Sequence, residues 1–216
     1  MPTFSPWLSK PIKKPMKKQY RWKFLREVDG KIKSNSGDCI WTIGKQKKYT
    51  GSLDMCNSGF HCCQNTWQAF SYVQGEIVAK VEVSGKNIIE DDKEVWEKMK
   101  IVKAYRWTKK DSVELAIYSA ELVIGNFEKV YPNDDRPRKA IEAAKNYIKT
   151  PTEENRQAAW AAAWAAGAAE SAARAARAAA EAAAGAAWAA GAARAALIKK
   201  IAGWMDDRIK SLEEIK

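Results

Sequence analysis

Ile77-Val78-Ala79-Lys80-Val81-Glu82-Val83-Ser84-Gly85 is the stretch whose period sets the fold of the first half of the chain. Its β-branched residues recur every second position against Ala79, Lys80 and Glu82, the spacing of a strand with one buried face, and Ser84-Gly85 is expected to stop it. Upstream, Trp22, Phe24 and Val28 alternate with charged residues, Asp29-Gly30 supplies a turn, and Cys39 to Ile43 forms another short apolar run. Between these strands Asn65 has the side chain of a helix cap, and Trp67, Phe70 and Val73 then fall on one side of a short helix.

Downstream, Asp91 to Lys98 predicts a helical turn or two, and Met99 to Trp107 a further strand. Asp111 then caps a helix carrying Val113, Leu115, Ala116, Ala120, Leu122 and Val123, with Gly125 as its stop. Tyr131-Pro132-Asn133-Asp134-Asp135 gathers turn formers that continue neither helix nor strand. Beyond it the pattern is helical. Pro137 suits a first helical turn, Ala140, Ile141, Ala144, Tyr147 and Ile148 make an apolar stripe, and Thr150-Pro151 interrupts it before Thr152, Glu153 and Glu154 open a new helix. The expected class is therefore α+β, with a basic flexible arm at 1–19, a small mixed α/β domain at 20–130 and an alanine-rich antiparallel helical module at 131–216.

From Gln157 to Ala196 alanine dominates and the exceptions are ordered. On a helix turning about 100° per residue, Trp160, Trp164, Gly167, Glu170, Ser171, Arg174, Arg177, Glu181 and Gly185 fall within a sector about 140° wide, opposite a face of alanine alone. A methyl-only face lets a neighbouring helix approach closely but buries little area per residue, which favours a helical pair, a bundle or a homo-oligomer. The last segment, with Ile198, Ile201, Met205, Ile209, Leu212 and Ile215, is amphipathic and is expected to close the core or a subunit contact.

The formal charge of +11 is unevenly placed: residues 1–50 hold thirteen Lys/Arg against three Asp/Glu, while the remainder is almost balanced. Such an excess is either a solvated run or a surface that attracts anions; nucleic acid is a partner it allows but does not favour. The alanine tract is broken by Arg and Glu, so no membrane span is expected, and Met1 to Gln19 lacks the apolar run of a signal peptide. Cys39, Cys56, Cys62 and Cys63 show no disulfide-framework spacing, which fits a reducing compartment such as the cytoplasm of a bacterial cell.

His61 is the one histidine, within Cys56-Asn57-Ser58-Gly59-Phe60-His61-Cys62-Cys63. Zinc would need three or four ligands from Cys39, Cys56, His61 and Cys62, yet the spacing matches no standard finger or ribbon, and buried thiols beside a hydrogen-bonded histidine are the better reading. A thiol nucleophile activated by His61 is the weaker alternative. No phosphate-binding loop, nucleophile elbow, metalloprotease helix or dinucleotide fingerprint occurs, so neither a cofactor, a metal nor a catalytic residue is expected.

Through Cys56, Gly59-Phe60-His61-x-Cys63, Tyr72, Val81-Glu82-Val83-Ser84-Gly85, Lys93 and Ile101-Val102, the N-terminal half resembles an uncharacterised domain family met mainly in bacteriophage proteins. The resemblance spans about residues 20 to 108 and implies an origin rather than an activity. The Gly-Phe-His segment before a helix and strand is also similar to ADP-ribosyltransferase-like folds, without their catalytic glutamate motif. Through Asp134-Asp135-Arg136-Pro137-Arg138-Lys139-Ala140 and the alanine helices beyond, the C-terminal half resembles an alanine-rich helical family of immunity proteins, which implies binding and neutralisation.

Together these readings lead to a non-catalytic, phage-type binding protein that captures an anionic host ligand, with a nucleotide immune signal as the candidate. Arg136, Arg138, Trp160, Trp164, Arg174, Arg177, Glu181 and His61 are the expected ligand-binding residues. The alternatives are an immunity-type module that blocks a protein partner and an ADP-ribosyl-handling enzyme. Stacking on an aromatic ring is worth about 1 to 3 kcal/mol per base. Trp160→Ala or Arg174→Ala is therefore expected to weaken nucleotide binding about ten-fold or more with helicity retained. Calorimetry and circular dichroism check this, and unchanged affinity in both variants removes the stripe from the site.

Overall fold

The computed structural model describes residues 18–36, 39–159 and 187–216. The stripe residues Trp160, Trp164, Arg174, Arg177 and Glu181 lie outside them. In the described part, an antiparallel sheet carries helices on one face, in the α+β class.

Strand β1 (Gln19–Val28) turns through Asp29-Gly30 into β2 (Lys31–Lys33), and β3 (Ile40–Trp41) pairs with β2. Asp29 and Gly30 have φ of 53° and 68°, the left-handed pair that a two-residue hairpin needs to match the twist of its strands. Strand β4 (Gln46–Lys48) follows, then β5 (Phe60–Cys62), helix α1 (Thr66–Tyr72), and the two long strands β6 (Ile77–Ile89) and β7 (Glu94–Arg106). The sheet order is β3-β2-β1-β6-β7-β4. Beyond β6, the other edge of β7 is shared end to end by β5 at Glu94–Trp96, β4 at Lys98–Lys100 and the terminal strand β8 (Glu214–Ile215) at Ala104–Tyr105.

Helix α2 (Lys109–Val130), α3 (Arg136–Lys149), a helical start at 153–159 and α4, described from Ala187 to Ile209, complete the chain. Asn65 caps α1 as its sequence promises, accepting from the Gln68 amide at 2.9 Å in a reciprocal capping box. Among the described residues no helix is long and apolar enough to cross a membrane.

Three local expectations are corrected. Residues 91–98 are not helical: the Glu90 amide closes a turn on the Lys93 carbonyl at 2.9 Å, and β7 runs from Glu94 because β5 and β6 both pair with it there. Strand β6 folds back on β7 across this short turn and β5 reaches it from residues 60–62, so strand pairing overrides the local pattern. Strand β6 does not stop at Ser84-Gly85 either. It shifts register between Ser84 and Asn87 and continues to Ile89. Gly85 has φ of +88°, and a Cβ there would lie 2.5 Å from the Glu97 carboxylate, so this bulge requires glycine. Helix α2 starts earlier and ends later than expected: Thr108 is its cap with Asp111 completing the box, and Gly125, against which nothing packs, is carried through to Val130.

Both faces of the sheet are covered. One cluster joins Leu25, Ile77, Ala79, Val81, Val83, Trp96, Met99, Ile101 and Ala104 beneath Trp41 and Cys62. On the other face Phe24, Val78 and Trp107 meet Ala69 of α1, Leu115 of α2 and Ile201, Met205 and Ile209 of α4. Phe24 packs edge-on against Phe70 and Trp107, at centroid distances of 5.2 and 5.6 Å. Residues 201–215, grouped by sequence with the alanine-rich module, are thus built into the core of the sheet domain. Burial of Ile201, Met205 and Ile209 in the second cluster is the physical reason.

A charged latch fixes that return. Asp111 is 2% exposed and accepts from Arg208 Nε at 2.8 Å, while Arg208 Nη2 also meets Glu114 at 2.9 Å. Burial by itself would raise the Asp111 pKa, but the hydrogen bonds from Thr108 and Arg208 outweigh it and hold the pKa below the ordinary value. Asp111→Ala removes the buried partner of Arg208, which keeps Glu114, together with the cap bonds to Thr108, and is expected to cost roughly 2 kcal/mol. A depressed carboxylate pKa contributes stability above the unfolded value, near 4, that is lost as pH falls through the folded value. Urea unfolding of wild type and variant from about pH 7 to about pH 3 should therefore show the difference shrinking toward acid; a gap that stays constant contradicts the role of the latch.

Candidate functional site

A concavity of about 600 Å³ opens where β5 passes from β7 to β1. Strand β5 pairs with β7, yet the next residue, Cys63, exchanges both backbone hydrogen bonds with Trp22 of β1, at 2.8 and 2.9 Å. Trp22, Lys23 and Phe24 line it from β1; Trp41, the 34–36 loop and the 56–59 turn form further walls, and Tyr72 and Lys93 stand at the rim. Gly59 makes the approach of β5 feasible: its φ is +104°, and a Cβ would sit 2.5 Å from a Val95 methyl group.

Lys23 decides the chemistry of this pocket. Its side chain follows β1 toward the face of Leu25, and Nζ donates to the His61 carbonyl at 2.7 Å. Burial lowers its pKa, opposed by the nearby Cys62, Cys63 and Cys39 thiols. The buried carboxylate of Glu94 accepts through Oε2 from Arg21 Nε and Trp96 Nε1, both at 2.7 Å, and its buried Oε1 has no hydrogen-bond partner among the described residues. Among the described residues no carboxylate pairs with Lys23. Uncompensated positive charge in a partly desolvated place is costly, and an anion arriving in the pocket would relieve it.

His61 lies beside this lysine as an acceptor. Its Nε2 receives the Cys56 amide at 2.9 Å, while burial, then Lys23 and Lys93, lower its pKa. The imidazole is therefore neutral at neutral pH, with the proton on Nδ1. Cys62 and Cys63 are buried free thiols pushed up by burial, Cys63 to about 12. Cys56, by contrast, is exposed and adopts φ of 71°; its Sγ accepts from Lys93 Nζ at 2.8 Å. Lys93 also lies 5.0 Å from the Tyr72 ring centroid, and Tyr72 donates to Asp92 at 2.7 Å, a bond that leads burial in raising the phenol to about 12. Among the described residues no group of three or more His, Cys, Asp or Glu side chains is gathered to hold a metal.

Of the ligand-binding residues expected from sequence that fall among the described residues, His61 lines this pocket, beside Cys39, Cys56 and Cys62, which the sequence offered as thiol or metal candidates. Arg136 and Arg138 are exposed at the start of α3 and engaged by carboxylates: Arg136 is bidentate on Asp134, at 2.7 and 2.6 Å, and Arg138 grips Glu128. Sequence reasoning did not assign a role to Lys23, Trp22, Trp41, Tyr72 or Lys93. Tyr72 and Lys93 were visible as motif positions, and Lys23 carried only the signal of a polar residue between two aromatic ones.

Residues 22–110, from β1 to the opening of α2, match the model of a family described as a domain of unknown function (DUF7666). The match takes in every pocket residue named above. No curated protein and no solved structure matches the chain.

The thiols should differ sharply in reactivity, since the thiolate is the attacking form. In the native protein Cys56 is expected to react with a disulfide reagent well before Cys62 and Cys63, which should react only at the rate of unfolding. Peptide mapping after timed alkylation checks this, and early labelling of Cys62 or Cys63 contradicts the burial assigned to them.

Proposed function

We propose that this chain is a non-catalytic binding protein that captures a small anionic ligand with a planar ring in the pocket over Lys23, a nucleotide immune signal being the candidate. The observation that carries the reading is the Lys23 ammonium, which faces the pocket without a carboxylate partner among the described residues. Trp22, Phe24, Trp41, Phe60 and Tyr72 add aromatic surface, and the 34–36 and 56–59 segments add polar edges, the combination expected of a specific ligand site. Lys93 brings a second positive charge to the rim.

Binding rather than catalysis is favoured by the state of the reactive groups. His61 uses Nε2 as an acceptor within the fold, and burial holds the Cys62 and Cys63 thiols protonated. The phage-type resemblance of the N-terminal half supports a ligand of host origin in a bacterial cytoplasm. Homo-oligomerisation through the alanine-rich helices belongs to the same reading.

An anion on Lys23 makes a charge-assisted bond worth about 1.5 to 3 kcal/mol, so Lys23→Met is expected to weaken binding about ten-fold or more. Because the lysine pKa is depressed in the folded state, the charged side chain costs stability below that folded value, and its removal should leave the melting temperature unchanged or higher. The same linkage makes affinity fall as pH rises through the lowered lysine pKa. Calorimetry with a panel of cyclic and linear nucleotides tests this. Binding by wild type that Lys23→Met retains places the ligand elsewhere, and no binding to any nucleotide removes the proposed ligand class.

A further inference from the structure

The rim of the pocket brings together two groups that the ligand reading does not use in full, the thiol of Cys56 and the amine of Lys93. They come from separate turns: Cys56 lies in the turn closed by the Asp54–Ser58 bridge, and Lys93 closes the turn onto the Glu90 amide. Lys93 Nζ lies 2.8 Å from Cys56 Sγ, a separation typical of N–H···O bonds although sulfur is the larger atom. Among the described residues no carboxylate pairs with Lys93, and its ammonium lies 5.0 Å from the centroid of the Tyr72 ring. Cys56 is also the exposed thiol of the pocket, while Cys62 and Cys63 are buried.

The geometry points to Cys56 and Lys93 as an oxidant-responsive modification site, at which a peroxide joins the two side chains through a sulfur–nitrogen bond. In the first step Cys56 Sγ attacks one peroxide oxygen. The O–O bond breaks, the thiol proton leaves in the water released, and sulfenic acid forms on Cys56. In the second, the lone pair of Lys93 Nζ attacks the same sulfur. The S–O bond breaks, and the departing hydroxide takes a proton from nitrogen to leave as water. One peroxide is thereby reduced to two waters, while the thiol–amine pair is oxidised by two electrons and loses two hydrogens.

Proximity decides between this outcome and further oxidation. An amine already in contact competes at a high effective concentration against a second peroxide from solution. The ammonium proton must leave first. Contact with Cys56 is the largest cause holding the Lys93 pKa up, so oxidation of the thiol removes that hold. The other thiols lack an equivalent partner: Lys23 donates to the His61 carbonyl rather than to a sulfur. The link would pin the 54–58 turn to the start of β7 and remove a positive charge from the mouth. Weaker anion binding in the oxidised state follows, a consequence that rests on the ligand reading, whereas the covalent bond itself does not.

The test treats the full-length protein with a small excess of hydrogen peroxide, blocks free thiols, digests it and determines peptide masses. The expected product is one species joining the peptides of Cys56 and Lys93, lighter than their sum by two hydrogens, and lost on reduction with dithiothreitol. It should be absent from Cys56→Ser and from Lys93→Gln, each checked for native circular dichroism. Sulfinic or sulfonic acid on Cys56 with unmodified Lys93, a Cys56 disulfide between chains, or an unmodified pair each overturns the proposal. Nucleotide titration before and after oxidation separates the two readings. A joined pair in a protein that binds no nucleotide sustains the modification and sinks the ligand, and the reverse result does the opposite.

Discussion

Strands β6 and β7 carry apolar side chains to both faces, and both faces must therefore be covered. Ile77, Ala79, Val81 and Val83 point one way and Val78 the other, with Trp96, Met99 and Ile101 of β7 on the first face and Tyr105 of β7 and the following Trp107 on the second. Burial of apolar area is worth about 25 cal/mol per Å², so a sheet of this kind is stable only between two layers. The β2–β3 hairpin and β5 supply one layer. Helices α1, α2 and α4 supply the other, which explains why the chain returns from its alanine-rich segment to place Ile201, Met205 and Ile209 on the sheet. The paired Asp111 and Arg208 then hold that return in register.

Closure of the first layer creates the pocket as a by-product. The far edge of β7 is satisfied piecewise by β5, β4 and β8, and the chain leaving β5 crosses to bond β1 at Trp22. That crossing leaves a gap which Lys23 enters from below and His61 flanks. A polar side chain at such a place is expensive to the fold. Its retention makes sense if the pocket has an occupant, since the same cost that weakens the empty protein is returned on binding an anion.

Charge has a different meaning in the two halves. The arginines at the start of α3 meet carboxylates on exposed surface, where ion pairs contribute little and are already satisfied. Lys23 and Lys93 have no such partners among the described residues, and both lower the pKa of His61. The field in the pocket is therefore positive although its walls are largely aromatic and thiol. Cys56 at the rim adds a group whose oxidation would change that field without altering the core.

Much of this was legible in the residues themselves. The two-residue period of 77–83, the Asp29-Gly30 turn, the Asn65 cap and the amphipathic last helix follow from short-range geometry, and so does the α+β class. His61 was legible as a candidate because of its setting among cysteines and Gly59. Long-range pairing decided the rest. Residues 94–98 became strand because β5, some thirty positions upstream, joins the β6 hairpin there, Gly85 became a bulge because Glu97 crosses over it, and Lys23 became a pocket residue because a carbonyl 38 positions away accepts its proton. A pattern in sequence states which face of a strand a side chain takes; only the packed fold states what stands opposite that face.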